Sequence, residues 1–237
     1  MTNHIRENLE YIREEITGAE KTANRPLGTV KLLAVSKTFP SEDILAAYNC
    51  GQRIFGENKV QELEKKVPRL PKDIEWHLIG HLQSNKVAKA VELADYIHSV
   101  DSEKLLVKIE RMAKEKNRKP KILLEVNVSE EESKFGLDTK DVESCVTAAL
   151  KCHNLELVGL MTMAPYETNK TELTRIFSTL MTERNQLEQK FRIKLPELSM
   201  GMSSDFKIAI TDGATIVRVG TLIFGKRNYK QECRDLT

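Results

Sequence analysis

Lys37 is the first residue whose position suggests chemistry, because it ends an apolar, strand-forming run in the stretch LLAVSKTFP. The pattern PSEDI follows from Pro40 and predicts a helix with Ser41 as its N-cap. A strand followed by a helix places Lys37 at the carboxyl end of a parallel strand, where barrel proteins carry their functional groups. Burying a charged lysine is costly, so a lysine at this position needs a functional reason. The alternative is a lysine that extends to water from the strand end.

Two segments near the other end of the sequence carry hydroxyl groups and glycine. LSMGMSSDF places Ser203 at the predicted start of a helix, and VRVGTLIFG places Gly220 and Thr221 at the end of the last predicted strand. Barrels often bind phosphate between the loops after strands seven and eight, through backbone N–H groups and hydroxyls. Each segment alone is equally compatible with an ordinary helix cap or turn. Together they predict a phosphate site.

The elements that must position these residues alternate between short β-rich runs and longer helical patterns. Eight runs predict strands, at residues 31–36, 53–55, 75–79, 96–99, 121–128, 156–161, 197–199 and 215–219. This alternation indicates parallel strands with crossover helices, and eight of them favour closure into a single (β/α)8 TIM barrel. An open, doubly wound sheet is the alternative, because several of the predicted strands are short.

One domain with a leading helix is expected. Four apolar residues recur at helical spacing near the start of the chain: Ile5, Leu9, Ile12 and Ile16. They predict an amphipathic helix within residues 1–24 that ends near Gly18. The barrel is expected over residues 30–225, followed by a tail at 226–237.

A closed barrel would bring the two ends of the chain together. Its first strand lies beside its eighth, so Lys37 and the predicted phosphate site would face the same small volume. An amine beside a phosphate site suits pyridoxal 5′-phosphate (PLP), which carries both an aldehyde and a phosphate. Arg218, if it lies near, would add a positive charge that lowers the pKa of the lysine and eases imine formation.

Composition excludes several classes of protein. The 237 residues carry a net charge of only +2, which argues against a dedicated nucleic-acid surface. The four cysteines form no CxxC pair, so a structural zinc site is not expected. The sequence offers neither a secretory signal nor an apolar stretch long enough to cross a membrane, and a cytoplasmic location is expected.

At this point the sequence resembles the pyridoxal phosphate homeostasis protein family. The matching motifs span most of the chain, in order: LLAVSKTFP, FGENKVQE, WHLIGHLQSNK, SVDS, EVNVSEEESKFGL, GLMTMAP, LSMGMSSDF and VRVGTLIFG. The resemblance implies a barrel of PLP fold-type III, similar to the amino-terminal domain of alanine racemase. It implies that Lys37 forms the imine with PLP. Some family members carry lysine where this chain has Phe39.

The resemblance also implies the other contacts to the cofactor. Ser203, Gly220 and Thr221 would hold the phosphate, and Arg218 would face the pyridine nitrogen. Asn58, in the FGEN motif, would lie near the ring.

Lys134, in the SKFG motif, is expected to approach the mouth of the site and to take part in releasing the cofactor. Family members are regarded as proteins that bind and distribute PLP, so the implied function is PLP homeostasis and delivery without strong catalytic activity. Apo forms of PLP-dependent enzymes are the partners considered, and neither nucleic acid nor a membrane is expected. A monomer is favoured.

Amino-acid racemisation is the first alternative function. It needs two bases on opposite faces of the substrate carbon, and alanine racemases carry an additional β domain that supplies a tyrosine. This sequence ends soon after Gly225, and Tyr229 lies in a short polar tail. Negligible racemase turnover is therefore expected.

Two further readings stay open. A lysine Schiff-base aldolase would need acid–base carboxylates around Lys37, and Glu57 and Asp101 are the candidates at strand ends. A protein that only binds partners, through the basic segment 111–121, would not react with PLP at all. A metal reading of His77 and His81 fails, because a strand end and a glycine separate them; no metal site is predicted.

Overall fold

A computed structural model of the chain describes residues 2–129, 135–165 and 168–225. Within that part, eight parallel strands close into a barrel in which each strand pairs with the next and β1 pairs with β8. The strands are β1 Lys31–Val35, β2 Ile54–Glu57, β3 Glu75–Leu78, β4 Tyr96–Val100, β5 Lys121–Glu125, β6 Glu156–Met161, β7 Glu197–Met202 and β8 Ile216–Val219. The predicted eight-stranded barrel is confirmed, and the open sheet is excluded.

Helices follow the strands and cover the outside of the barrel. Their bounds are α1 Thr2–Thr22, α2 Ser41–Asn49, α3 Val60–Lys66, α4 Val87–Leu93, α5 Glu103–Lys116, α6 Thr139–Ala149, α7 Lys170–Phe191, α8 Phe206–Thr211 and α9 Thr221–Phe224. Short 3-10 turns at Val67–Arg69 and Ser84–Lys86 precede β3 and α4. The main apolar core lies between the sheet and these helices.

The leading helix α1 packs against α2, α8 and α9, which surround the β1–β8 seam. Its predicted apolar stripe is buried: Ile5, Leu9, Ile12 and Ile16 are each at most 5% exposed. The side-chain amide of Asn8 also donates a hydrogen bond of 2.9 Å to the carbonyl of Ile223 in α9. The leading helix therefore helps to hold the turn that follows β8.

Several predicted boundaries were wrong. Helix α1 continues past Gly18 to Thr22, since no residue near Gly18 breaks the helical hydrogen bonds. Strand β7 runs to Met202 rather than Ser199, and its register with β8 shifts between these two residues, where Gly201 has φ +89°. Ser41 is not the N-cap of α2; Pro40 holds that position without a side-chain hydrogen bond.

No helix in the described part of the chain is long and apolar enough to span a membrane. Within the same part, Cys50, Cys145 and Cys152 are free thiols.

Candidate functional site

Lys37 lies in a tight turn that begins where β1 ends. The N–H of Phe39 donates a 3.1 Å hydrogen bond to the carbonyl of Ser36, so Lys37 and Thr38 occupy the two central positions of the turn. Thr38 has φ +68°, a left-handed conformation that is unusual for a branched residue. Such strained positions persist only where neighbours hold them, and they cluster at functional sites. The side chain of Lys37 is half-buried.

A buried network of charges holds this turn from below. Ser36 Oγ donates to Glu57 Oε1 at 2.7 Å, and Lys66 Nζ donates to the same oxygen at 2.8 Å. Lys66 Nζ also donates to the carbonyl of Ser36 at 2.9 Å and to Glu62 Oε2 at 2.7 Å. Glu62 Oε2 in turn accepts the backbone N–H of Thr38 at 2.8 Å. The residues on both sides of Lys37 are therefore fixed by α3 and the end of β2.

The carboxyl groups of Glu57 and Glu62 both accept a hydrogen bond from Lys66 Nζ, and their pKa values shift in opposite directions. Burial raises the pKa of Glu57, whereas the charge of Lys66 and the hydrogen bonds that Lys66 and Ser36 donate to Oε1 act in the opposite direction and favour the carboxylate. Hydrogen bonds from Lys66 and the backbone of Thr38 outweigh burial at Glu62, whose pKa lies below its ordinary value. The second carboxyl oxygen of Glu57, Oε2, is buried without a hydrogen-bond partner among the described residues.

The β1–β8 seam brings the turn at Lys37 against the end of β8. Leu33 pairs with Arg218 and Ala34 with Val219 across the seam. A Cβ atom at Gly220 would lie 3.0 Å from the carbonyl oxygen of Val35, so only glycine lets the two backbones approach without a shift.

An aromatic contact ties the two sides of the seam together. The rings of Phe39 and Phe224 lie 5.0 Å apart, and they join the turn at Lys37 to α9.

The predicted phosphate residues meet at this seam. Thr221 Oγ1 lies 3.3 Å from Ser203 Oγ, although the loops after β7 and β8 carry them separately. Asp205 supports the loop of Ser203 by accepting the backbone N–H of Met202 at 2.5 Å. Two adjacent hydroxyls beside a glycine form a set of donors that suits a phosphate group.

Arg218 is a fully buried cation inside the barrel. Nη1 donates to Ser199 Oγ at 2.8 Å, and Nη2 donates to the carbonyl oxygen of Thr162 at 2.9 Å. A guanidinium has further N–H groups, which can donate to an acceptor such as a ring nitrogen. Burial lowers the pKa of Arg218 to about 10, so the group remains charged at neutral pH.

Acidic groups surround Arg218 without forming a direct ion pair with it in the described part of the chain. The carboxyl of Glu125, at the end of β5, is only 3% exposed, and burial raises its pKa to about 7. The nearby Asp101 carboxylate raises it further, whereas Arg218 lowers it. Burial also raises the pKa of Asp205.

The two histidines of WHLIGH have separate roles. His81 lies at the mouth, where Nδ1 is 3.1 Å from Asp101 Oδ2 and the ring stacks at 4.0 Å on Phe135. His77 is buried inside the barrel, with Nδ1 2.8 Å from His98 Nε2. The described residues contain no cluster of metal-ligating side chains.

The fold brings five of the predicted site residues to the same side of the barrel. Lys37 follows β1; Ser203 follows β7; and Arg218, Gly220 and Thr221 lie in or directly after β8.

Three other candidates have different outcomes. Asn58 follows β2, and its backbone packs so closely on Gly80 that a Cβ there would lie 2.4 Å from its carbonyl oxygen. Lys134 and Tyr229 lie outside the described residues.

Sequence reasoning missed the residues that support the site: Glu62, Lys66, His98, Glu125, Thr162 and Ser199. Most of them are polar residues within apolar or helical patterns, and a polar residue in a predicted buried strand is the signal that could have found His98 and Ser199.

The donors and acceptors of the site match the functional groups of PLP. Lys37 supplies an amine for the aldehyde; Ser203 and Thr221 supply hydroxyls for the phosphate; and Arg218 supplies N–H groups for the ring nitrogen. The missing side chain at Gly220 leaves backbone accessible between them. The residues present therefore fit this group.

Comparison with known proteins gives close relatives over nearly the whole chain. A family model described as alanine racemase, N-terminal domain, matches residues 2–228. The pyridoxal phosphate homeostasis protein of Aquifex aeolicus is 42% identical over 224 residues, which cover 94% of this chain and 98% of that protein. The human protein of the same name is 38% identical over 239 residues, covering 94% of this chain and 87% of that protein.

Solved structures include PipY of Synechococcus elongatus PCC7942 with PLP bound. It is 40% identical, with a TM-score of 0.82, and the match covers 93% of this chain and 100% of PipY. The alanine racemase of Clostridium difficile matches with a TM-score of 0.76 but only 13% identity, over 95% of this chain and 57% of that enzyme. This second likeness concerns the fold alone.

Proposed function

Because the chain belongs to the pyridoxal phosphate homeostasis protein family, we propose that it binds PLP reversibly and delivers it to PLP-dependent enzymes. The cofactor is held as a Schiff base on Lys37. The observation that carries this proposal is the seam between β1 and β8. There Val35, two residues before Lys37, packs against Gly220, and the hydroxyls of Ser203 and Thr221 lie 3.3 Å apart. The PLP-bound relative supports the choice of ligand.

Each residue of the site has a separate task in this proposal. PLP supplies an aldehyde for covalent attachment and a ring that can withdraw electrons. Ser203 and Thr221 donate hydrogen bonds to the phosphate, and the glycine at 220 allows its close approach. Arg218 donates to the ring nitrogen. Asn58 lies at the end of β2 and is proposed to contact the ring.

Arg218 also supports binding in preference to catalysis. A buried cation that donates to the ring nitrogen keeps that nitrogen unprotonated, and this weakens the ring as an electron sink. Alanine racemases tolerate such an arginine, so this feature alone does not decide between binding and catalysis. The absence of strong catalytic activity is part of the proposal.

Absorbance spectroscopy tests the attachment. Purified protein mixed with PLP is expected to show a new visible or near-ultraviolet band, which borohydride converts into a stable adduct on the peptide that contains Lys37. Lys37→Ala is expected to abolish the adduct, while Lys65→Ala, at an exposed lysine of α3, leaves it intact. An adduct mapped to another lysine in the native protein would refute the proposal.

Delivery is tested by transfer to an acceptor. The loaded protein is mixed with an apo form of a PLP-dependent enzyme, and recovery of that enzyme's activity is followed with time. We propose that Lys134 assists release, so Lys134→Ala is expected to slow the transfer. Equal transfer rates would show that Lys134 has no role in release. Transfer no faster than from free PLP at its equilibrium concentration would refute delivery by the protein.

Amino-acid racemisation or another Schiff-base reaction is the second candidate function. The observation that favours it is Glu125, a buried carboxyl whose raised pKa, about 7, suits acid–base chemistry near the site. Release of D-alanine from L-alanine, or cleavage of a phosphorylated aldol, would identify this activity. Its loss in Glu125→Gln would assign the acid–base role.

A further inference from the structure

A chain of hydrogen bonds runs through the interior of the barrel and ends at Arg218. Glu75 Oε1 lies 3.0 Å from His77 Nε2, and His77 Nδ1 lies 2.8 Å from His98 Nε2. His98 Nδ1 lies 2.9 Å from Ser199 Oγ, which accepts Arg218 Nη1 at 2.8 Å. Four strands, β3, β4, β7 and β8, each contribute to this chain.

This hydrogen-bond chain connects opposite ends of the barrel. Glu75 is the first residue of β3, and its side chain is 38% exposed beside a cavity of about 510 Å³ that Tyr96 and Lys121 also line. At the far end, Arg218 reaches the carbonyl oxygen of Thr162, which follows β6 on the side of the candidate site.

Every interior member of the chain is shielded from water. His77, His98 and Ser199 are all 0% exposed. The ring of His77 also stacks on Tyr96 with 4.2 Å between the centroids, which fixes its plane. A buried polar group without a partner is costly, so each of these contacts must carry a hydrogen.

The chemistry of the two ends sets the direction of every hydrogen bond. A guanidinium can only donate, and a carboxylate can only accept. Ser199 Oγ therefore accepts from Arg218, and its own hydrogen is available for His98 Nδ1. At the other end, Glu75 accepts from His77 Nε2–H, which leaves His77 Nδ1 to accept from His98 Nε2–H.

The Glu75 end sets the tautomers, and at the other end the hydroxyl hydrogen of Ser199 matches the bare Nδ1 of His98. Both histidines are neutral, with hydrogen on Nε2 and a bare Nδ1. Burial holds the pKa of each well below its ordinary value, and the positive charges of Lys31, Lys121 and Arg218 act in the same direction. A neutral ring has one donor and one acceptor, as each position in the chain requires.

We propose that Glu75, His77, His98 and Ser199 form a one-directional hydrogen-bond chain that positions the Arg218 guanidinium from the opposite end of the barrel. Since the hydrogen of Ser199 is committed to His98, its lone pair stays directed at Arg218. Ser199 and Thr162 then fix two N–H groups, and the remaining ones keep a constant orientation. The four residues are positioning residues; only their effect on PLP rests on the proposed function.

Nitrogen-15 NMR of the protein without PLP tests the chain directly. His77 and His98 are expected to show the Nε2–H tautomer across the neutral range, with a scalar coupling through the hydrogen bond between His98 Nε2 and His77 Nδ1. Hydrogen on Nδ1 of either ring, or a cationic ring, would overturn the assigned direction. This measurement uses the native protein and depends on neither variants nor cofactor.

The distal end supplies the test of positioning. Glu75→Lys replaces the acceptor with a donor. Both histidines would then carry hydrogen on Nδ1, Ser199 Oγ would accept from both His98 and Arg218, and the hydroxyl hydrogen of Ser199 would lose its acceptor. Reversed tautomers and a roughly ten-fold weaker affinity for PLP are expected, the latter being the size of one lost hydrogen bond to a charged group. Glu75→Gln retains an acceptor oxygen and is expected to rescue both.

Glu156→Lys is the matched control, because Glu156 begins β6 as Glu75 begins β3, is exposed and lies outside the hydrogen-bond chain. Unchanged tautomers and affinity in Glu75→Lys would overturn the positioning role. If the native protein shows the expected tautomers but does not bind PLP, the proposed function is refuted while the hydrogen-bond chain is confirmed.

Discussion

Lys66 Nζ lies 2.8 Å from Glu57 Oε1, and this buried ion pair lies directly beneath the turn that carries Lys37. The same ammonium group binds the carbonyl of Ser36, the last residue before Lys37. The pair therefore links the stability of the barrel to the geometry of the proposed attachment point. Its removal should affect both, and the two effects can be measured separately.

Lys66→Met is expected to destabilise the protein by about 3–5 kcal/mol, since it leaves the carboxyl of Glu57 buried without its counter-charge. Urea unfolding monitored by circular dichroism measures the change. Lys65→Met, at the exposed neighbouring lysine, should stay within about 0.5 kcal/mol of the native protein. The double variant Lys66→Met, Glu57→Gln should recover part of the loss, and a double variant as unstable as the single one would contradict this account.

Glu125 predicts a pH dependence of stability. Burial raises its pKa from 4.5 to about 7, so the folded chain holds this proton more tightly than the unfolded chain does. The resulting stabilisation is complete below the unfolded pKa and is lost as the pH rises through about 7. Glu125→Gln cannot ionise, and its free energy of unfolding should therefore decline less than that of the native protein over this range.

Unfolding in urea at a series of pH values measures this difference. Glu115→Gln, at an exposed position of α5, serves as the control and should follow the native curve. Parallel curves for Glu125→Gln and the native protein would show that Glu125 titrates alike in both states.

Gly220→Ala tests the close approach at the β1–β8 seam. The added Cβ would lie 3.0 Å from the carbonyl oxygen of Val35 and 3.3 Å from its Cβ, so the loop after β8 must shift. We expect a loss of about 1–3 kcal/mol in stability and weaker binding of PLP. Gly18→Ala is the matched control, because a Cβ there meets nothing within 4 Å inside α1. The Gly18→Ala control should stabilise the helix by about 0.5–1 kcal/mol. If Gly220→Ala bound PLP with native affinity, the close approach at the seam would have no role in binding.

The fold could be predicted from sequence because its signals are local. Short apolar runs ending in polar residues repeat eight times, and each is followed by a helical pattern. The positions of Lys37, Gly220 and Thr221 at strand ends follow from that pattern alone. Closure of the barrel then places β1 beside β8, which brings these residues to one seam without further information.

The supporting contacts could not be predicted in the same way, because they join residues far apart in sequence. His98 and Ser199 are separated by 101 positions, and nothing local to either one indicates the other. Lys66 is the last residue of an amphipathic helix, where the sequence pattern predicts a solvent-facing side chain. In the structure its side chain is buried and contacts Glu57. Such pairs depend on side-chain direction and register across different strands, which hydrophobic periodicity does not contain.

The paired hydroxyls at the seam give the last prediction, a difference between two forms of vitamin B6. Ser203→Ala and Thr221→Val each remove one of the hydroxyls that lie 3.3 Å apart. If these groups hold the phosphate, each variant should weaken PLP binding by about ten-fold, the size of one hydrogen bond to a charged group. Pyridoxal, which lacks the phosphate, should bind both variants as it binds the native protein.

Fluorescence or absorbance titration with the two ligands measures this contrast. Thr211→Val provides the control, since it removes an exposed hydroxyl from α8 that donates to the carbonyl of Lys207 in its own helix. Equal weakening of PLP and pyridoxal would mean that Ser203 and Thr221 act on the shape of the whole site. Because phosphate is the only chemical difference between the ligands, a selective loss for PLP would assign these hydroxyls to its anionic end and leave Lys37 to its aldehyde.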